Sequence, residues 1–426
     1  QANSNKITAL ADGNAATNAL ILNNGSMNNM TAAVVSGQRG SNADITTQAA
    51  GEVSVNTSNA VVTASSISVN DNAVKASSIS NSSFNSLSVT ASNATGAGLT
   101  FAPTASSDLN SMTLVADMAL LNNQKTDAST VQATSGLSTT PALIKLAAGI
   151  VSSSTNLTLN GNAVAASAYA NSANNTGTVA INSMTGMAAA LGNVQVLSDG
   201  NLEATAYGAV DAGLSSISGS NVSVNTNAIT SAAMANTVVN GLSIAASNAS
   251  GRGVQPSFMY AGDVIQADNV LTNQQILLDN TVVATTAGDV TLTSAGAVSG
   301  VSNVSLNSNT ISAYGSGNYA TNDMAVAVNN LAENSNALMS KQTTYRTFVN
   351  SVTAIATGSV ALQSGTVTSA NLAMNSNAVK STALDNVASN QLTLTGTTAS
   401  GKDALVMTGL TSPITSPDSS TVAADV

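Results

Sequence analysis

Histidine and cysteine are both absent from this 426-residue sequence. That removes the usual general base, the thiol nucleophile and the commonest zinc ligands. Carboxylates remain for acid–base work, and they stand apart, at Asp12, Glu52, Asp108, Asp199, Glu203, Asp289 and Glu333. Two could meet across a fold as in a glycosidase, but no acidic position recurs with a partner. Asp71, Asp263, Asp268 and Asp279 lack the spacing of a calcium loop. The expectation is a chain that is no enzyme and that carries no cofactor and no metal.

The residues that do recur at fixed spacing are amides. A stretch beginning Asn225-Thr-Asn227 appears six times, starting at Asn3, Asn70, Asn160, Asn225, Asn307 and Asn375. Asparagine stands at offsets 0, 2, 11 and 15 in every copy. These are Asn3, Asn5, Asn14 and Asn18; Asn70, Asn72, Asn81 and Asn85; Asn160, Asn162, Asn171 and Asn175; Asn225, Asn227, Asn236 and Asn240; Asn307, Asn309, Asn318 and Asn322; Asn375, Asn377, Asn386 and Asn390. A primary amide carries both donor and acceptor. Identical amides stacked at strand spacing therefore hydrogen-bond up and down the stack. The 24 asparagines are read as a structural ladder.

A ladder needs strands to hold it. Offset 4 is always Ile or Val, and offset 19 is apolar throughout: Leu22, Val89, Val179, Ile244, Val326 and Leu394. Asn227, Ile229, Ser231 and Ala233 share one parity, and Asn240, Leu242 and Ile244 resume it after a break. Period 2 on both sides of an interruption predicts strand, corner, strand. Four copies have a lead-in asparagine at offset −4, at Asn156, Asn221, Asn303 and Asn371. The Ala-rich pieces 184–191 and 325–338 compete as short helices.

Copies are spaced by 67, 90, 65, 82 and 68 residues, so short and long steps alternate. This divides the chain into double repeats at 1–159, 160–306 and 307–426. Gln38, Gln195 and Gln342 each lie 35 residues after the first Asn of the odd copies. The even copies carry an insert marked by Gly96, Gly251 and Gly401, read as turns needing permissive backbone angles. Pro103, Pro256, Pro413 and Pro417 fall in or after these inserts. Together these features predict an all-β, repetitive β-solenoid with six Asn-rich cores. At about 22 residues per coil it would hold about nineteen coils in a rod of roughly 90 Å. Tandem β-sandwich domains are the alternative.

Composition narrows the class further. Charged residues are 7% and aromatics 2%, against about 25% charged in ordinary domains. Acids outnumber bases 20 to 10, and the basic residues are scattered singly, so no stripe meets nucleic acid. No run is long and apolar enough for a membrane-spanning helix. The first residue is Gln1, which predicts a secreted mature chain with its signal peptide removed.

The pattern Asn309-Thr-Ile-Ser-Ala-Tyr-Gly-Ser-Gly-Asn318-Tyr-Ala-Thr-Asn322 resembles repeats of bacterial surface proteins. These are the curlin-like and functional-amyloid repeats and the holdfast-anchor proteins of stalked alphaproteobacteria. The resemblance covers the six cores and implies secretion, a cell-surface location and assembly into fibres or anchors. The expected function is an extracellular structural protein, a subunit of a filament or adhesive anchor. Its partner is itself, head to tail, with an outer-membrane anchor or a polysaccharide as further candidates. A monomeric adhesin or ligand-binding module on the same scaffold is the alternative. The head-to-tail reading rests on two features. Only Gln1 and Ala2 precede Asn3, and Ala404–Thr408 and a tail from Pro413 stand beyond the last core.

Overall fold

The structure is a computed structural model describing residues 1–96, 104–106, 111–113, 116–252, 267–345, 351–400, 404–411 and 421–425. No helix occurs among them. The Ala-rich pieces expected as helices are strand, within Ala163–Thr185, Ala189–Ser198, Thr310–Ala332 and Asn336–Tyr345. Alanine's helix preference is weak, and here each such strand is hydrogen-bonded on both sides.

The fold is a parallel β-solenoid, and each Asn-rich copy is one whole coil. Lys6–Met30, Ala73–Gly96, Ala163–Thr185, Ala228–Ser250, Thr310–Ala332 and Ala378–Thr395 stack in that order as the first sheet. Lys6 pairs with Ala73, Ala73 with Ala163, Ala163 with Ala228, Ala228 with Thr310, and Thr310 with Ala378. The expected rod of nineteen small coils is therefore corrected to six large ones. Strands sit ~4.8 Å apart, so the first sheet is only about 24 Å tall. The period of the asparagine set is the coil itself, because in-register stacking brings identical residues together once per turn. The parallel ladders of all three large sheets also exclude the β-sandwich alternative.

Each coil has three faces. After the first sheet the chain enters a second, through Ala32–Ser41, Met118–Asp127, Ala189–Ser198, Asn269–Leu278, Asn336–Tyr345 and Ala404–Thr411. A third sheet begins with Asp44–Ala49, Thr130–Ser135, Asn201–Ser218, Thr281–Ser294, Ser351–Ser364 and Thr421–Asp425. It ends in short strands such as Asn156–Thr158 and Asn221–Ser223, which lead back to the first. The segment expected to stand free after the last core is thus part of the sixth coil. Ala404–Thr411 pairs with Asn336–Thr343, and Thr421–Asp425 with Ser351–Ile355. The ladders run across positions 159/160 and 306/307 as they do elsewhere.

Two apolar cores lie side by side in the cross-section. The early half of each first-sheet strand packs Val74, Val164, Ile229 and Ile311 against the third sheet's Val131, Leu202 and Val282. The late half packs Val89, Val179 and Ile244 against the second sheet's Leu120, Leu191 and Leu271. Between the halves the alternation changes phase, since adjacent residues Ala235 and Asn236 are both buried. This is the interruption seen in the sequence, expressed as a bend within one continuous strand.

The even-copy inserts leave from one corner, between Gly96 and Met118 and between Ser250 and Asn269. They include an antiparallel pair, Thr104–Ser106 with Ser111–Thr113. Pro103, Pro256, Pro413, Pro417 and Gly401 lie outside the described residues. Gly96 and Gly251 do not have the positive φ expected of them. They are glycines for closeness instead: a Cβ on Gly96 would collide with the Gly186 carbonyl, and one on Gly251 with that of Glu333.

A regular column of positive φ marks the corner between the third and first sheets, where Ser4, Asp71, Gly161, Thr226, Ser308 and Ser376 have φ between 55° and 68°. Each sits between the asparagines at offsets 0 and 2. The turn points the backbone N–H along the stack, so that Thr226 N–H reaches the Asn307 carbonyl at 2.9 Å. A β-branched residue is strained there, by roughly 1–2 kcal/mol. Glycine gives back about 0.5–1 kcal/mol of that through its unfolded-state entropy. Thr226→Gly should therefore stabilise the protein by about 0.5–1 kcal/mol in urea unfolding, matching coil 3, which already has Gly161 at this place. A loss of stability would show that the corner is not strained.

Candidate functional site

The corner between the third and first sheets is built from the amides at offsets 0 and 2. At offset 0 each Oδ1 accepts the backbone N–H of the matching asparagine in the next coil, at 2.8–3.0 Å from Asn3 through Asn375. At offset 2 the side chains form the column Asn5–Asn72–Asn162–Asn227–Asn309–Asn377, with Nδ2 donating to the next Oδ1 at 2.9–3.0 Å. The second Nδ2 hydrogen goes to the chain just ahead of an offset-0 asparagine, as from Asn227 to the Leu159 carbonyl at 2.8 Å. Asn72, Asn162, Asn227 and Asn309 are all buried, yet both halves of each amide are bonded.

A second amide group fills the seam between the two apolar cores. Asn14, Asn81, Asn171, Asn236, Asn318 and Asn386 donate one to the next at 2.7–2.8 Å. Their second hydrogens cross to second-sheet carbonyls, such as Lys125, Val196 and Ile276, each at 2.9 Å. Asn18, Asn85, Asn175, Asn240, Asn322 and Asn390 form a parallel column at 2.8 Å. The seam thus ties the first and second sheets together where neither can place an apolar side chain without losing a backbone partner.

Two further columns join from the second sheet. Asn122, Asn193 and Asn273 stack at 2.8 Å, and Asn85 and Asn175 donate to the first two of them. Gln38, Gln124, Gln195, Gln275 and Gln342 stack at 2.7–2.8 Å, each Nε2 donating to the coil below. Their remaining hydrogens reach first-sheet carbonyls, including Ser172, Thr237 and Tyr319. Sequence spacing revealed only Gln38, Gln195 and Gln342. Gln124 and Gln275 were hidden because the even-copy inserts displace them from the 35-residue interval. Leu410 takes the sixth register position, and Gln342 Oε1 is buried without a hydrogen bond.

The lead-in asparagines face outward. Asn156, Asn221, Asn303 and Asn371 are exposed and linked in series at 3.0 Å. Beside them stand the Thr158, Ser223 and Ser305 positions, so the corner presents a flat strip of amides and hydroxyls.

Ion pairs among the described residues are few. Asp127 accepts from the Ser198 hydroxyl at 2.5 Å and pairs with Lys125 at 3.2 Å and Arg39 at 3.4 Å. Burial pushes its carboxyl up, but the Ser198 hydrogen bond and the Lys125 and Arg39 charges outweigh that and hold it below the ordinary value. Arg252 leaves the coil-4 corner, passes the Gly186 carbonyl and pairs with buried Asp117 in coil 2. Asp268 receives the backbone and hydroxyl of Ser335. Glu203 accepts from Gln132 and Thr205, and Asp289 from Ser359. These acids occupy separate places, and no group of three or more metal-binding side chains occurs among the described residues.

No family model, curated protein or solved structure matches the chain.

Two expectations follow from the amides and the charge cluster. Asn227→Ala removes four hydrogen bonds, those with Asn162, Leu159 and Asn309. Because Asn227 is 1% exposed, the loss should be about 2–3 kcal/mol in urea unfolding. Asn225→Ala, at a half-buried position, should cost about 1 kcal/mol or less; equal costs would refute the burial argument. The depressed Asp127 carboxyl contributes stability that is complete above its ordinary value of about 3.9. That contribution is lost as pH falls through the lower folded value. Asp127→Asn should cost about 1–2 kcal/mol at pH 7, since it strands the buried Lys125. The gap to wild type should close toward pH 2; a pH-independent gap would remove the linkage.

Proposed function

We propose that the chain is an extracellular structural protein, a subunit of a bacterial surface filament or adhesive anchor that assembles head to tail. The observation that carries this reading is the continuity of the amide columns. The asparagine columns at offsets 2, 11 and 15 pass through all six coils in one register, each amide bonded to the same amide of the next coil. Parallel strand edges template further pairing, and a head-to-tail contact between unlike faces propagates without closing. The low charge, 7% of residues, supports association over solubility. The cell-surface location rests on the resemblance to secreted repeat proteins, and an outer-membrane anchor or a polysaccharide is the further partner such an anchor requires.

The exposed strip Asn156–Asn221–Asn303–Asn371 supports a second reading, a monomeric adhesin whose flat polar corner binds a target surface. Light scattering and negative-stain microscopy of the purified 426-residue chain over a concentration series separate the two. Unbranched filaments with a subunit rise set by the stack support assembly. A monodisperse monomer at every concentration overturns it in favour of the adhesin.

A further inference from the structure

The exposed amide strip on the flank of the stack is chemically uniform. Asn221, Asn303 and Asn371 each donate Nδ2 to the Oδ1 of the coil before, at 3.0 Å. One amide hydrogen and one carbonyl lone pair of Asn221 and of Asn303 stay free for a partner. Thr158, Ser223 and Ser305 form the next outward column, two residues along each strand. No charged residue stands in 146–162, 212–228, 290–322 or 359–379. The strip is firmly backed, because Leu157, Val222 and Val304 pack into the core beneath it.

A strained bulge borders this strip. Ile217 precedes Asn221 by four residues, and the matching Val151 and Val298 precede Asn156 and Asn303 by five. The extra residue lies at Ser153–Ser154 in coil 2 and at Gly300–Val301 in coil 4, where both members of each pair have positive φ. The ladder slips at the second of these, between Ser299 and Ser302. Val301 is β-branched at φ 54° and 81% exposed. Such a residue is an outlier in the left-handed region, and at that exposure little packing within the chain offsets its strain. Strain of this kind collects at binding surfaces.

The free groups select the occupant. An amide offers a donor and an acceptor together, and so does a hydroxyl. The strip has no charge with which to hold an ionic ligand, and the net charge of −10 repels an acidic polymer. A second copy of the strip is held off by the projecting bulges, which a narrow chain can pass. We propose that the ladder Asn156–Asn221–Asn303–Asn371, with Val301 at its border, binds a neutral polysaccharide laid along the stack. Sugar hydroxyls exchange hydrogen bonds with the free halves of the amides, and Val301 meets the apolar face of a ring. This rests on the surface-attachment reading above and names the chemistry of what is held.

Isothermal titration of the purified chain with hydroxyethylcellulose, dextran and alginate tests the site, with light scattering on the same samples. At least one of the two neutral polymers should bind, and alginate should not. The variant Asn221→Ala/Asn303→Ala loses two exposed amides and should bind about tenfold more weakly. Val301→Gly relieves the strain, so it should melt no lower than wild type and still bind more weakly. Equal affinity of wild type and both variants overturns the strip and leaves attachment standing through another face. Alginate binding as tight as that of the neutral polymers overturns the selection. Absence of heat with both neutral polymers overturns the proposal, and filaments seen by scattering in that case leave the assembly reading intact. A wild-type particle that falls to monomer size in the double variant assigns the strip to a second copy and overturns the polysaccharide.

Discussion

A buried side-chain amide costs free energy unless both its carbonyl and its NH2 find partners. In this protein the recurring partners are the same amide one coil away and a nearby backbone carbonyl, as for Asn171 with Asn236 and Val196. That requirement fixes the register of every coil. Moving Asn171 by one residue along its strand would turn it outward and strand Asn81, Asn236 and the Val196 carbonyl at once. Variation is therefore expelled from the paired strands to the connections, and the coils with 90 and 82 residues to the next copy place most of their extra length at one corner.

The same requirement explains the small residues. Two coils ~4.8 Å apart leave no room for bulky side chains in the narrow interior. The inward positions near the bend are Ala168, Ala170, Ala233, Ala235, Gly315 and Gly317. Branched aliphatic residues return only where the sheets diverge, at Val164 and Ile229 on one side and Val179 and Ile244 on the other. The polar seam separates the two cores and is itself dry: Asn171, Asn175, Gln195, Asn236 and Gln275 are all fully buried. The structure thus places these laddered amides inside and leaves its acids dispersed.

Much of this was legible in the sequence, for a physical reason. Stacked identical coils must repeat identical residues, so Asn225, Asn227, Asn236 and Asn240 announce their columns by spacing alone, and the phase change at Ala235–Asn236 appears as a break in parity. Coil size was not legible, because a period of 65–90 residues can be divided into smaller turns without contradicting any residue. The glutamine column was half-visible, since an insert shifts Gln124 and Gln275 without moving them in space. Gly96 and Gly251 were seen as turn formers. Their role as close-approach points depends on the Gly186 and Glu333 carbonyls, which only the stacked neighbours reveal.

The opposed directions of the columns have an electrical consequence. Every amide is a dipole comparable to the peptide unit's ~3.5 D, and aligned dipoles in a low-dielectric interior reinforce one another. Four buried asparagine columns point their N–H groups toward coil 6, whereas the glutamine column points toward coil 1 and cancels part of the field. The stack is consequently polarised along its axis, like a short bar magnet in electrostatic form. Its field favours end-to-end alignment of like-oriented stacks, and it makes side-by-side stacks settle in opposite directions.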